Sequence, residues 1–162
     1  MIKIQNLKDV PEHLTTLANW HHKQWYYLNP DESIDQRIKR MQPFLNDDLI
    51  PGTFIAEEDN ELLGSAALVE HDMETKPELS PWLASVYVAP SHRRKGVGTQ
   101  LVLHVMMQAR LAGIDTLYLF TPDKVTFYHK LGWRLVCSEQ YHNHSVSIMQ
   151  AHLSETNIHN NA

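Results

Sequence analysis

The segment Ser85-Val86-Tyr87-Val88-Ala89-Pro90-Ser91-His92-Arg93-Arg94-Lys95-Gly96-Val97-Gly98 constrains this chain more than any other. An apolar run ends at a proline, a basic turn with two glycines follows, and apolar residues then recur at helical spacing. That order is a strand running through a loop into the start of a helix. The first N–H groups of a helix have no intrahelical partner, and the helix dipole adds partial positive charge there. Glycine at 96 and 98 lets the backbone approach a phosphate without Cβ interference, while Arg93, Arg94 and Lys95 add electrostatic attraction. The segment reads as a cradle for an anion such as a diphosphate. It is not a P-loop, because Gly98 is followed by Thr99-Gln100 instead of Lys and Ser or Thr. Nor does it carry the Gly-x-Gly-x-x-Gly of a dinucleotide fold.

Farther along stands Phe127-Tyr128-His129-Lys130-Leu131-Gly132-Trp133. With Arg93-x-x-Gly96-x-Gly98 and the strand holding Val86 and Val88, this stretch resembles the GNAT acetyltransferase superfamily over about residues 82–137. The resemblance implies an α/β fold, a mixed and mostly antiparallel central sheet flanked by helices, with acetyl-CoA as cosubstrate. It implies that Val86, Tyr87 and Val88 pair with the pantetheine arm as a strand would, and that the Val88 N–H stabilises the oxyanion. Arg93, Arg94, Lys95, Gly96, Val97, Gly98 and Thr99 are the expected phosphate cradle. Tyr128 is the expected general acid for the departing thiolate, since a phenol near pKa 10 is protonated at neutral pH. Thr121 stands where many members carry a pantetheine-contacting asparagine, and it reads equally as a helix cap.

The implied activity is acetyl transfer from acetyl-CoA to a primary amine by direct attack within a ternary complex. The alternatives are a regulatory module that binds acyl-CoA without turnover and an acetyltransferase directed at charged tRNA. An ammonium cannot attack until it loses a proton. Some relatives keep a glutamate early on the strand before the loop, but here Trp82-Leu83-Ala84-Ser85 has no carboxylate. Glu70 or Asp72, at the end of the neighbouring strand, is the candidate base. His71, a relay water on Ser85 and bulk water are the other routes. Trp20, His21, His22, Trp25, Tyr26 and Tyr27 form an aromatic and histidine cluster that, in this fold, commonly walls the acceptor site.

The remaining composition narrows the partners. Of 162 residues, 43% are apolar and 20% charged, ordinary for a single globular domain, expected over 1–153 with a flexible tail over 154–162. The net charge of −5 weighs against nucleic acid and favours a cationic acceptor, a small molecule or a peptide N-terminus. No apolar run is long enough to span a bilayer and no signal peptide opens the chain, so a cytoplasmic protein is expected. The lone Cys137 cannot pair internally and reads as packing. His21-His22 and His142-x-His144 lack further ligands, so no metal is expected. A homodimer fits the family's habit.

Periodicity gives the order βααββ-βαβαββ, the GNAT arrangement. A first strand holds Ile2 and Ile4, and Pro11-Glu12 opens a helix to about Tyr27 with Leu14, Leu17, Ala18, His21 and Trp25 inward. Ser33 and Gln36 form a capping box for a second helix reaching Pro43. Strands are expected over 53–58 and 62–70, joined by Asp59-Asn60, and over 82–88. A helix over 98–112 turns Leu101, Val102, Val105, Met106, Ala109 and Ala112 inward and stops at Gly113. A strand over 116–120, a helix opening at Thr121-Pro122-Asp123, and strands over 134–139 and 145–150 complete the chain.

Overall fold

The computed structural model describes residues 1–154, so the expected tail lies, apart from Ser154, outside the described residues. Seven strands and four α-helices follow one another as β1 (Lys3–Asn6), α1 (Leu14–Trp25), α2 (Ile34–Met41), β2 (Gly52–Glu58), β3 (Glu61–Val69), β4 (Trp82–Val88), α3 (Val97–Leu111), β5 (Thr116–Thr121), α4 (Val125–Lys130), β6 (Arg134–Tyr141) and β7 (His144–His152). The strands form one sheet in the order β1-β2-β3-β4-β5-β7-β6. Among the described residues, only β4 and β5 run parallel. The expected mixed, mostly antiparallel sheet is present, with helices on both faces.

Alternation along the strands decides which helix each residue meets. Phe54, Ala56 and Leu63 pack with Leu101, Val102, Val105, Met106 and Ala109 of α3. Ile55 and Leu62, one residue out of phase, instead join Leu14, Leu17 and Ala18 of α1 and Met41 of α2. Ser33 and Gln36 cap α2 reciprocally, as their spacing predicts. Ala112 is exposed, because α3 stops at Leu111 and the turn into Gly113, at φ 86°, carries it out of the apolar stripe. The last helix also starts later than Pro122. Thr121 ends β5, and its hydroxyl accepts the N–H groups of Asp123 and Lys124, delaying α4 to Val125.

Both tight hairpins use residues in the left-handed region, Asp59-Asn60 at φ 53° and 66° and His142-Asn143 at φ 48° and 66°. The second turn leaves no loop, so β6 and β7 outrun their expected ends.

Two irregularities open the sheet at its centre. β4 and β5 share a single register pair, Trp82 with Tyr118, beside a bond from the Tyr118 N–H to the Pro81 carbonyl of 3.1 Å. Beyond it the strands diverge. On the other side of β4 the register jumps between Ser65–Tyr87 and Ala67–Ala84, so Ser85 and Val86 together face Ala66. This is a β-bulge, with Ser85 at φ 51°.

Candidate active site

The gap between β4 and β5 continues into one groove of about 970 Å³, running from the start of α3 to the far ends of α1 and α2. At one end, Gly96 takes φ 81° just before α3, and Arg94 takes φ 65°. The first intrahelical bond runs from the Gln100 N–H to the Gly96 carbonyl, so the N–H groups of Val97, Gly98 and Thr99 have no helical acceptor. The first turn carries no acid and no side-chain cap that would compete for them. Arg93, Arg94, Gly96, Val97, Gly98 and Thr99 all line the groove, whereas Lys95 is exposed outside it. Arg93 does more than add charge. Its Nε donates to the Val88 carbonyl at 2.8 Å and its guanidinium lies 5.5 Å from the Tyr87 ring, tying the loop to β4.

Val86, Tyr87 and Val88 form the middle of the wall. The Ala89 N–H donates to the Leu63 carbonyl at 2.8 Å, which makes Gly64 and Val88 a non-hydrogen-bonded pair. The Val88 N–H therefore turns away from β3 and toward the gap. The Tyr87 ring does not follow it, packing instead near Trp20 and Trp25 at 5.5 and 6.2 Å.

Beneath the bulge lies a chain of three groups. The Ser65 hydroxyl donates to the Ser85 carbonyl at 3.0 Å, so its oxygen is left to accept from His21 Nε2 at 2.9 Å. That fixes the tautomer and leaves His21 Nδ1 buried without a partner. Burial, reinforced by Arg37 and Arg40, lowers the His21 pKa to about 3, in keeping with a neutral ring.

Across the gap, α4 brings Tyr128 into the lining. The residue is 7% exposed, and burial, with Asp123 adding to it, pushes the phenol well above its usual value. Tyr128 is thus a hydrogen-bond donor at any physiological pH. Cys137 is on the edge strand β6 and does not line the groove.

The opposite end is walled by Trp25, Arg37, Arg40, Asp72, Glu74 and Tyr141. Burial raises the Asp72 carboxyl to about 6, against the pull of Arg40 and Arg37. Glu74 behaves oppositely. Hydrogen bonds from Tyr141 and His142 hold it down at about 2, and in return the His142 pKa rises. Of the two carboxylates expected as a base, only Asp72 is in the groove. Glu70 is 76% exposed and sits 3.9 Å from His71, which is also exposed, and neither lines the groove. Ser85 lines it. Of the aromatic cluster in α1, Trp25 alone reaches the groove, since His21 is buried beneath it and Tyr26 and Tyr27 face solvent.

Arg37 and Arg40 were not legible as site residues from motifs. One signal exists: Arg37 falls three residues after Ile34 and four before Met41, an inward position on an otherwise amphipathic helix, and its side chain is 7% exposed.

The Acetyltransferase (GNAT) family profile matches residues 14–133. No curated protein sequence matches the chain. Among solved structures, yncA of Salmonella typhimurium with its cofactor acetyl-CoA aligns at a TM-score of 0.69 and 17% identity over 95% of each chain. An aminoglycoside 6′-N-acetyltransferase complexed with coenzyme A aligns at 0.71 and 19% identity, covering 93% of this chain and 97% of that one. An acetyltransferase from Streptococcus agalactiae aligns at 0.68 and 20% identity, covering 93% and 98%. The parted strands β4 and β5, the uncapped start of α3 and the family match lead to one conclusion: this chain belongs to the GNAT acetyltransferase family.

Proposed function

We propose that the protein, working as a single domain, is an acetyl-CoA-dependent N-acetyltransferase that moves an acetyl group to a primary amine by direct attack in a ternary complex. The observation that carries this reading is the continuity of the groove: unpaired N–H groups at the start of α3, the Val88 N–H and Tyr128 in the middle, and Asp72 at the far end. The diphosphate binds at Arg94 and the N–H groups of Val97 to Thr99, the pantetheine arm lies along the free edge of β4, and the thioester meets the amine near Tyr128.

Asp72, ionised above about pH 6, takes a proton from the ammonium. The nitrogen lone pair then forms the new C–N bond and the carbonyl electrons move to oxygen, where the Val88 N–H holds them. When the tetrahedral species collapses, the C–S bond breaks, Tyr128 hydrogen-bonds and protonates the sulfur, and the second proton of the attacking nitrogen restores the phenol, leaving the one proton on Asp72 to be released. The same burial that raises the phenol also raises the proton affinity of a thiolate formed beside it, which favours the transfer. Tyr128→Phe is expected to lower kcat by about 10²-fold to 10⁴-fold with acetyl-CoA affinity held within about twofold. Thiol release with an amine panel and calorimetry with acetyl-CoA measure the two. An unchanged kcat would remove Tyr128 from the chemistry.

A further inference from the structure

The acceptor end of the groove holds two guanidinium groups that share a single hydrogen-bonded carboxylate. Arg40 grips Glu32 through two bonds, Nε to Oε2 at 2.8 Å and Nη2 to Oε1 at 3.1 Å. Arg37 adds one weaker bond from Nη1 to the same carboxylate at 3.3 Å. Two guanidinium groups thus share one carboxylate. Arg37 Nε is buried with no acceptor, and among the described residues no hydrogen bond engages its Nη2. The buried Nε has no accessible surface, so a carboxylate in the groove would meet Arg37 at Nη2 and Arg40 at Nη1, terminal nitrogens that no hydrogen bond engages among the described residues. The ring of Trp25 sits 5.9 Å from the guanidinium carbon and helps hold the fork in place.

The other charged groups at this end are accounted for. Glu74 is occupied by the Tyr141 hydroxyl and by His142 Nε2, while His142 Nδ1 bonds the Leu28 carbonyl at 2.7 Å. Asp72 makes no hydrogen bond or ion pair among the described residues, although Arg37 and Arg40 act on it through space. Resting on the acetyl-transfer reading above, we propose that the acceptor is a small amino acid, whose carboxylate docks on Arg37 and Arg40 while its amino nitrogen lies toward Asp72 and the thioester.

The charge count supports a carboxylate. The two arginines are balanced in the empty groove by Glu32 and an ionised Asp72, while Glu74 is engaged separately by Tyr141 and His142. An entering zwitterion adds none, and when its ammonium passes a proton to Asp72 the positive charge left on the arginines faces the ligand carboxylate. An ammonium without a carboxylate, once its proton has passed to Asp72, would leave the arginine pair with Glu32 as its one bonded carboxylate in a partly desolvated site. The overall balance is R–NH3⁺ and acetyl-CoA giving R–NH–acetyl, CoA thiol and one proton. The chain's charge of −5, which favoured a cationic acceptor, is a property of the whole surface and not of this end.

The test measures thiol release from acetyl-CoA with the α-amino acids, β-alanine and 4-aminobutyrate, each beside its amide and its decarboxylated amine. At least one acid should exceed its own amide by about tenfold or more in kcat/KM, the worth of a charge-assisted pair. Arg37→Met should erase that advantage by raising KM for the acid far more than for its own amide, while the calorimetric affinity for acetyl-CoA stays within about twofold. Arg40→Gln carries the same comparison if Arg37→Met does not fold. Amides or simple amines used as well as their acids would overturn the carboxylate subsite and leave acetyl transfer standing. No thiol release from any member, or no binding of acetyl-CoA, would overturn the acetyl-transfer reading and this proposal with it.

Discussion

Asp72 shows how a single side chain can trade stability for reactivity. Its carboxyl titrates near 6 in the folded protein, against an ordinary value of 3.8, so the folded state binds the proton more tightly than the unfolded chain does. Stability therefore falls as pH rises from about 4 to 6, and the ionised group is a net cost above that range. Replacing it should help the fold and harm the reaction. Asp72→Asn is expected to raise Tm by roughly 3 °C at pH 7.5, corresponding to about 1 kcal/mol, with the gain vanishing below pH 4. The same variant should lose about 10²-fold to 10⁴-fold in kcat/KM, and the wild-type acid limb of kcat/KM should turn near pH 6. Scanning calorimetry at two pH values and a pH–rate profile test both halves. A Tm gain that persists at pH 3.5 would show that charge is not its source.

At the scale of elements, the start of α3 and the parting of β4 from β5 work together, and the two glycines of the loop serve different ends. Gly96 sits at φ 81° with nothing within 4 Å of the point a Cβ would occupy, so a side chain there is strained although space is free. Gly98 has ordinary dihedrals, and a Cβ would lie 3.5 Å from Val88 Cγ2 and 3.6 Å from Phe127 Cζ, normal contact distances. Gly96→Ala should thus cost about 1–2 kcal/mol of stability, read from urea midpoints. Gly98→Glu should leave stability nearly unchanged yet weaken acetyl-CoA by about 100-fold or more in calorimetry, because its carboxylate competes for the same helix N–H groups. Undiminished affinity would move the diphosphate elsewhere. This half of the site was legible because strand, loop and helix are contiguous in sequence, with glycine and proline marking the joints. The acceptor end was not. Arg37, Asp72, Glu74 and Tyr141 come from α2, the loop after β3 and the end of β6, and only the folded sheet brings them together. The single register pair between β4 and β5 was equally invisible to periodicity, which reports the face a residue occupies and not where a strand stops pairing.

Across the whole molecule, His21, Asp72 and Glu74 carry large shifts within the acid range, and their effects on stability do not all share a sign. His21, lowered to about 3 by burial, stays neutral in the folded state while the unfolded chain protonates below about 6.5, so stability is lost as pH falls through that interval. Asp72 acts in the other direction between about 4 and 6, since there the folded state holds the extra proton. Over that window the two nearly cancel, and the urea midpoint should change little. Below pH 4 the cancellation ends, because Asp72 is protonated in both states. Glu74, ordinarily at 4.5 and held at about 2 by Tyr141 and His142, joins His21 in favouring proton uptake on unfolding from the lower part of that window downward. Glu74 is 66% exposed, so screening discounts its share. The slope of unfolding free energy should steepen to between one and two protons, about 1.4 to 2.7 kcal/mol per pH unit. His21→Gln, which keeps a donor for Ser65 but cannot titrate, should flatten this lower limb by one proton. In the same variant the Asp72 contribution, no longer offset, should make stability fall as pH rises from 4 to 6. Urea melts at half-unit steps from pH 3 to 7 measure both changes, and a profile identical to wild type would mean that His21 is not held neutral beneath the bulge.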